Sequence, residues 1–221
     1  MKSKKTRRLL LGIALLTLFA AWTAVVLLVD VKPVGVNGTD VGLASLNTLV
    51  HAATGVRMSL YTLTDWLGLI PLAVVFAFGV LGLGEWVKRR SLKRVDRSLF
   101  VLGAFYLAVF AAYLFFEVTV INYRPVLIEG RLEASYPSST TMLALCVMPT
   151  AAMQLRARVQ NALLRRCITS LIIAFTFFMV AARLLSGVHW LSDIIGGALF
   201  SGGLVTLYAV FATDAADKTR R

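Results

Sequence analysis

The sequence is poor in the residues that most often bind metals or form cross-links. It has two cysteines and two histidines among 221 residues. Cys146 and Cys167 lie in or beside apolar segments and give no disulfide framework, and the histidines and scattered carboxylates lack metal-ligand spacing. We therefore expect no metal or other cofactor, and cysteines that pack as small apolar side chains.

Charge is also scarce. Charged residues make up 15% of the chain and hydrophobic residues 58%, and the mean hydropathy is +0.79. Such a composition excludes a soluble domain of this size and is typical of a polytopic membrane protein. The net charge of +12 would suit a nucleic-acid partner, but the basic residues form short clusters between apolar runs. That distribution indicates membrane topology, so we expect no nucleic-acid binding.

Six apolar runs predict six transmembrane helices. The first, residues 9–29, is long enough to cross a hydrocarbon core of about 30 Å and is interpreted as an uncleaved anchor. The fourth is short and contains Pro149, so we expect it to be kinked or shielded by its neighbours. The other runs cover residues 67–86, 99–120, 140–155, 167–185 and 191–212.

The fold predicted from these runs is an all-α integral membrane bundle, with residues 1–221 in one polytopic domain. Residues 41–63 carry apolar side chains at mixed helical spacing and predict an amphipathic segment lying on the bilayer. Paired glycines at 196–197 and 202–203 predict close helix packing.

The basic residues predict the orientation. With a cytoplasmic N-terminus, 18 of the 23 lysines and arginines fall on the cytoplasmic side. By the positive-inside rule both termini are cytoplasmic, in a multi-pass protein of the cell membrane. The loops that carry candidate chemistry are then extracytoplasmic.

One such loop lies between the last two apolar runs and contains Arg183, His189 and Asp193. Charged groups at membrane depth are candidates for function. His189 and Asp193 are four residues apart, so on a helix the carboxylate could bond one imidazole nitrogen and leave the other free. Arg183 could direct its guanidinium toward the same point. An Arg–Asp pair that joins two helix ends, with an incidental histidine, would explain the same residues.

A second loop carries Arg124 before a proline, and then a run of small hydroxyl residues that includes Ser138, Ser139 and Thr140. Hydroxyl residues at a helix start leave backbone N–H groups free to bind an anion. An interfacial arginine and a plain helix cap are the alternatives. Taken together, the two loops predict a phosphate pocket with a nucleophile beside it.

The spacing resembles the type 2 phosphatidic acid phosphatase superfamily, which shares its core with the vanadium haloperoxidases. That family has three blocks, Lys-x6-Arg-Pro, Pro-Ser-Gly-His and Ser-Arg-x5-His-x3-Asp. The first matches at Arg124-Pro125, and the third matches at Arg183, His189 and Asp193 with its spacing intact. The matching region covers residues 117–193.

The resemblance implies a role for each residue. His189 would attack phosphorus and form a phosphohistidine, and Asp193 would orient it. Arg124 and Arg183 would hold the phosphate oxygens. Ser138 and Ser139 stand where the second block bonds phosphate, and we assign Thr140 to the same phosphate-binding group.

Three positions depart from the family pattern. Glu117 replaces the lysine of the first block, Ala182 replaces the serine before Arg183, and Thr140 replaces the histidine that protonates the leaving group. Threonine is a poor acid at neutral pH. Either the substrate has a good leaving group, or His51 or a water supplies the proton, or the protein only binds a phosphorylated lipid.

We therefore expect a membrane lipid phosphatase or diphosphatase that acts on the extracytoplasmic face, with a polyprenyl diphosphate such as undecaprenyl diphosphate favoured. Its partners would be this phosphorylated lipid and the bilayer. The alternative is a non-catalytic lipid-phosphate binder or transporter on the same fold.

Overall fold

The structure is a computed structural model that describes the backbone of residues 2–219 and the side chains of residues 3–92 and 94–212. This part of the chain forms eight α-helices, with two short 3-10 turns between them. The helices are α1 Lys2–Leu28, α2 Ala44–Thr54, α3 Met58–Leu67, α4 Leu69–Arg89, α5 Arg97–Val118, α6 Ser139–Arg158, α7 Ala162–Leu185 and α8 Leu191–Thr219. The all-α prediction is confirmed.

Within the described residues, five segments are long and apolar enough to cross a membrane. Helices α3 and α4 form one of them, Met58–Arg89, and the others lie in α1, α5, α7 and α8. The predicted fourth span corresponds to α6, which has 20 residues but is more polar and is not among the five. Ten residues of α6 are buried, so neighbouring helices shield it as expected. The predicted count of six spans is not confirmed.

The predicted amphipathic segment, residues 41–63, is not one element. Helix α2 ends at Gly55, whose φ of +62° is accessible to glycine without strain. Helix α3 then begins at Met58 and continues into the α4 span. Helix α2 is tied to α8, because Asn47 Nδ2 donates to Ser192 Oγ at 3.0 Å and Asn47 Oδ1 accepts from Ser192 N at 3.1 Å.

Helix α8 lies at the centre of the bundle and packs closely on α1. A Cβ at Gly203 would lie 2.7 Å from the Leu16 side chain, and one at Gly196 would lie 2.6 Å from the Tyr136 ring. The glycines therefore permit the close packing predicted for them. Both cysteines are free; Cys146 belongs to a buried cluster between α5, α6 and α8, and Cys167 is exposed.

Helices α1 and α8 are antiparallel, which brings the connecting segments that carry the candidate residues to one end of the bundle. Near the end of α1, Trp22 Nε1 donates to Ser192 O at 3.1 Å, at the start of α8. Trp190 Nε1 donates to Tyr123 O at 2.8 Å and joins the two candidate loops. The start of α1 and the end of α8 lie together at the opposite end.

Candidate active site

The turn between α7 and α8 carries His189 and is fixed by neighbouring backbone. Gly187 has a φ of +68°, and a Cβ there would lie 1.9 Å from Gly55 O, so only glycine fits. Arg57 N donates to Ser186 O at 2.9 Å, and His51 Nε2 lies 3.1 Å from Gly187 O. His51 is therefore a partly buried, bonded histidine that supports the turn.

The His189 imidazole is buried, and its two nitrogens have different surroundings. Nδ1 lies 3.0 Å from Ser135 Oγ, and the Ser135 hydroxyl donates to Asp193 Oδ2. Because the serine proton points to the carboxylate, Ser135 Oγ accepts from Nδ1–H, which leaves Nε2 with a free lone pair. Nε2 is buried and has no hydrogen-bond partner among the described residues.

Asp193 does not bond His189 directly, contrary to the expectation from their spacing. The distance from His189 Nδ1 to Asp193 Oδ2 is 3.7 Å. Asp193 is the third residue of α8, and its Oδ2 accepts from Trp190 N at 2.9 Å, as acidic residues do when they cap a helix start. The carboxylate therefore caps α8 and reaches the imidazole through Ser135.

The environment keeps His189 neutral. Burial is the main cause that lowers the pKa of His189 to about 4, and the nearby Arg124 and Arg183 charges lower it further, whereas Asp193 raises it. At neutral pH the ring is thus uncharged, with a basic Nε2. A nucleophile or a general base requires this form.

Arg183 lies near the end of α7 and is 1% exposed. Its Nη2 donates to Thr140 Oγ1 at 2.7 Å, and its Nη1 donates to Thr64 Oγ1 at 3.1 Å. The guanidinium carbon is 4.7 Å from the centre of the Tyr61 ring, and Nη2 is 3.6 Å from Asp65 Oδ1. No described residue provides a hydrogen-bond partner for the Nε atom.

Arg124 approaches the same ring from the loop between α5 and α6. An isolated bridge between Tyr123 and Ala134 holds this loop in a hairpin-like shape. Arg124 is 7% exposed, and its guanidinium carbon is 5.8 Å from the Tyr61 ring centre. Its Nε is 3.1 Å from Glu133 Oε2, an ion pair without hydrogen-bond geometry, and Nη1 has no hydrogen-bond partner in the described part of the chain.

Buried polar atoms without a hydrogen-bond partner concentrate at this end of the bundle. Among the described side chains, all such atoms belong to the α5–α6 loop, the start of α6, the end of α7 and the following turn. They are Arg124 Nε and Nη1, Ser138 Oγ, Thr141 Oγ1, Arg183 Nε and His189 Nε2. Buried polar groups in proteins nearly always have partners. Guanidinium and hydroxyl donors left unpaired together are suited to an anion such as phosphate.

Two cavities meet beside these residues. A polar cavity of about 570 Å³ is lined by both arginines, Ser135 and the carboxylates Asp65, Glu117 and Glu133, among others. An apolar cleft of about 1040 Å³ runs between α4, α5 and the start of α6. Residues shared by both linings are Asp65, Tyr113, Ser139, Thr140 and Met142. A polar chamber that opens into an apolar cleft fits a molecule with a charged head and an apolar tail.

The structure brings the predicted residues together, but they differ in burial, in hydrogen bonding and in whether they line a cavity. Ser138 is buried and unpaired, Ser139 lines both cavities, and Thr140 is bonded by Arg183. His189 is not in the lining of the polar cavity, which it adjoins through Ser135. The sequence analysis missed Ser135, and it also missed Tyr61 and Asp65, because no local pattern links these residues to the distant arginines.

The chain is similar to known membrane proteins in sequence family and in fold. Residues 102–216 match the PAP2 superfamily, and the chain therefore belongs to that superfamily. In fold it is similar to the crystal structure of the first transmembrane PAP2 type phosphatidylglycerolphosphate phosphatase from Bacillus subtilis. The TM-score is 0.56 at 20% identity, over 95% of this chain and 98% of that chain. No curated protein matches the sequence.

The chain is thus a multi-pass membrane protein with the fold of the PAP2 membrane lipid phosphatases.

Proposed function

We propose that this protein hydrolyses a lipid diphosphate, with a polyprenyl diphosphate such as undecaprenyl diphosphate favoured, and that His189 is the nucleophile. The observation that carries the proposal is the buried, unpaired His189 Nε2 close to two arginines that also have unpaired nitrogens. A neutral imidazole beside fixed cationic donors is the arrangement that attack on a phosphoryl group requires.

The proposed reaction assigns a role to each of these residues. Arg124, Arg183 and the Ser138 hydroxyl hold the oxygens of the terminal phosphate, together with Ser139 and Thr140 at the start of α6. The lone pair of His189 Nε2 attacks the terminal phosphorus, and the bond from phosphorus to the bridging oxygen breaks. That oxygen leaves with the electron pair as part of a lipid monophosphate. Water then hydrolyses the phosphohistidine and releases inorganic phosphate.

Thr140 supports a diphosphate rather than a monophosphate. At this position the family pattern has the histidine that protonates the leaving oxygen, whereas here a threonine hydroxyl accepts a hydrogen bond from Arg183. An alkoxide leaving group needs a proton, but a phosphate leaving group does not. His51 is a weak substitute, because its Nε2 bonds Gly187 O and it lines neither cavity described above.

The apolar cleft supports a lipid with a long chain. It extends along α4 from Leu69 to Trp86, which at about 1.5 Å per residue is roughly 25 Å. This length is close to the thickness of a hydrocarbon core. The chain of the lipid would occupy the cleft while its head group enters the polar cavity.

We further propose that the site faces the extracytoplasmic side of the cell membrane and that both termini are cytoplasmic. The concentration of basic residues in the segments at the opposite end of the bundle supports this orientation. In this view residues 1–221 work as one polytopic domain.

The test is phosphate release by the purified protein in detergent, with a polyprenyl diphosphate and a long-chain lipid monophosphate as substrates. We expect release from the diphosphate, weak or no release from the monophosphate, and loss of release in His189→Ala at unchanged membrane insertion. Retained release in that variant would show that His189 is not the nucleophile. Equal release from both substrates would show that another group donates the proton.

A non-catalytic binder or transporter of phosphorylated lipids would give a different result. The substitution at Thr140 favours this second function, because a site without an acid can still bind phosphate. Binding would then depend on Arg124 and Arg183 and not on His189, and no phosphate would be released from either substrate.

A further inference from the structure

We propose that Ser135 is a positioning residue that couples Asp193 to His189, so that the reactive unit is Asp193–Ser135–His189. The proposal rests on the function proposed above, in which His189 is the nucleophile. It assigns to a serine the contact with the imidazole that the spacing of His189 and Asp193 predicts for the carboxylate.

The contacts of Asp193 support this assignment. Its Oδ2 accepts hydrogen bonds from Trp190 N, at 2.9 Å, and from the Ser135 hydroxyl. Its Oδ1 accepts from Asn122 Nδ2 at 3.4 Å and from Ser192 Oγ at 3.3 Å. The 3.7 Å between Asp193 Oδ2 and His189 Nδ1 is too long for a hydrogen bond. Both carboxylate oxygens are therefore occupied by other donors.

Ser135 is placed to transmit the effect of this charge. It is 2% exposed, and its Oγ lies 3.0 Å from His189 Nδ1. With its proton bonded to Asp193, the oxygen can only accept, so it fixes the proton of the imidazole on Nδ1. The other nitrogen, Nε2, is then permanently available for attack. Ser135 also lines the polar cavity, which links this contact to the substrate chamber.

The coupling of Asp193 to His189 through Ser135 matters most when positive charge develops on the imidazole during the reaction. As the Nε2–phosphorus bond forms and the phosphorus–oxygen bond breaks, the imidazole becomes positive and the leaving group takes the electron pair. The Nδ1–H bond to Ser135 Oγ strengthens, and so does the Ser135 bond to Asp193, without net transfer of a proton. Removal of the hydroxyl leaves the imidazolium without an acceptor, which should raise the barrier more than it weakens substrate binding.

The experiment compares two inhibitors in wild type and Ser135→Ala. Orthovanadate takes a fifth bond from the nucleophile, whereas inorganic phosphate is held mainly by the arginines. Loss of a hydrogen bond to a charged group corresponds to roughly 10- to 100-fold. We expect this decrease in kcat and in vanadate affinity, with KM and phosphate affinity within about threefold of wild type.

Ser135→Thr keeps the hydroxyl and should recover most of kcat and of vanadate affinity. Ser192→Ala is the matched control, because it removes a buried hydroxyl that bonds Asp193 Oδ1 and does not contact His189. It should reduce kcat much less than Ser135→Ala does. If Ser135→Ala does not fold, Ser135→Cys replaces it, because cysteine has a similar volume and a weaker hydrogen-bonding group. The same changes in kcat and vanadate affinity, relative to KM and phosphate affinity, then test the proposal.

An unchanged kcat in Ser135→Ala would overturn the proposal. Equal weakening of vanadate and phosphate would also overturn it, because a purely structural serine would disturb both. Failure of the proposed function is seen separately: wild type would then resist vanadate, and His189→Ala would still release phosphate.

Discussion

The two ends of the bundle each contain a buried or half-buried arginine network, and the networks differ in how completely they are bonded. At the end opposite the site, Arg158 Nη2 bonds Asp96 Oδ2 at 2.7 Å, and its Nη1 donates to Gln154 O at 3.2 Å and to the Gln154 side chain. Gln154 Nε2 in turn donates to Tyr208 OH at 2.6 Å. No unpaired buried side-chain atom is found there among the described residues.

At the site, Arg124 and Arg183 keep unpaired nitrogens although both are more deeply buried than Arg158. The presence of a buried charge therefore says little about function, because structural networks also contain arginines. The site differs from the Arg158 network because some of its buried donors have no hydrogen-bond partner among the described residues. Buried polar groups in a stable fold normally have partners, so these donors support the anion site proposed above.

The strongest test of this difference is Arg183→Lys. Lysine keeps the charge but cannot reproduce the fork of donors that reaches Thr140 and Thr64 while another nitrogen remains free. We expect phosphate release to fall by roughly 100- to 1000-fold, as for the loss of one preorganised donor in a transition state. Phosphate release and vanadate affinity in detergent measure the effect.

The matched control is Arg158→Lys at the other end of the bundle. The expected effect of Arg158→Lys on phosphate release is less than about threefold, because the Arg158 network makes no contact with the polar cavity. Equal losses in the two variants would contradict the assignment of different roles to the two ends.

A gain of function should follow from Thr140→His. The side chain at this position already lines both cavities and touches Arg183, so an imidazole would stand beside the leaving group. General-acid catalysis contributes about 100-fold or more when well placed. We expect release from a long-chain lipid monophosphate to rise at least about tenfold, with a smaller change for the diphosphate.

Thr141→His serves as the control for introducing a histidine nearby, since Thr141 is buried and lies in neither lining. If both histidine variants, or neither, gained monophosphatase activity, the missing acid would not explain the substrate preference.

The opposite end should show its importance in stability. Arg158→Met removes the partner of Asp96 and leaves the Gln154 side chain with fewer bonds. We expect the free energy of unfolding to fall by about 1–2 kcal/mol, typical for loss of hydrogen bonds to a charged group that is partly exposed. Thermal unfolding in detergent measures it, and Arg156→Met, on the exposed side of α6, is the control. If Arg158→Met lost phosphate release at unchanged stability, the assignment of a structural role to the Arg158 network would be contradicted.

The smallest expected effect is the pH dependence contributed by His189. Its pKa is lowered to about 4 by burial, whereas the unfolded chain has a value near 6.5. As pH falls, the unfolded state therefore takes up this proton first, and stability is lost between pH 6.5 and 4. The loss should be about 1 kcal/mol between pH 6.5 and 5.5.

Comparison of wild type with His189→Asn isolates this contribution, because asparagine does not titrate. The variant should lose less stability over the same range. Identical curves would mean that the folded state binds the proton as readily as the unfolded chain does.

The third block shows how far local spacing predicts a site. Arg183, His189 and Asp193 are brought together because they surround one short turn between two helices: His189 lies in the turn, and Asp193 lies in the first turn of α8. The direct bond between them was the part of the prediction that was wrong. A direct bond would require a free carboxylate oxygen on Asp193. As the third residue of α8, Asp193 instead caps the helix by accepting from Trp190 N.

The residues that the sequence analysis missed are distant in sequence. Ser135 is 54 residues from His189, and Tyr61 and Asp65 reach Arg183 from α3 across more than one hundred positions. A single sequence contains no signal for such pairs, since neither helical period nor turn chemistry relates them. Residues 41–63 form two helices and not one segment, because Gly55, with a φ of +62°, follows the end of α2 and α3 begins only at Met58.

The sequence alone was enough to identify the chain as an all-α membrane protein, and it predicts the candidate site in two loops near Arg124 and His189. Both properties follow from local quantities, namely the length of apolar runs and the spacing of charged residues. The three-dimensional packing was needed to show which buried donors lack hydrogen-bond partners, that Ser135 connects Asp193 to the imidazole, and that an apolar cleft opens into the polar cavity. These depend on which side chains from distant helices occupy the same volume, and packing fixes that only when the whole bundle is assembled.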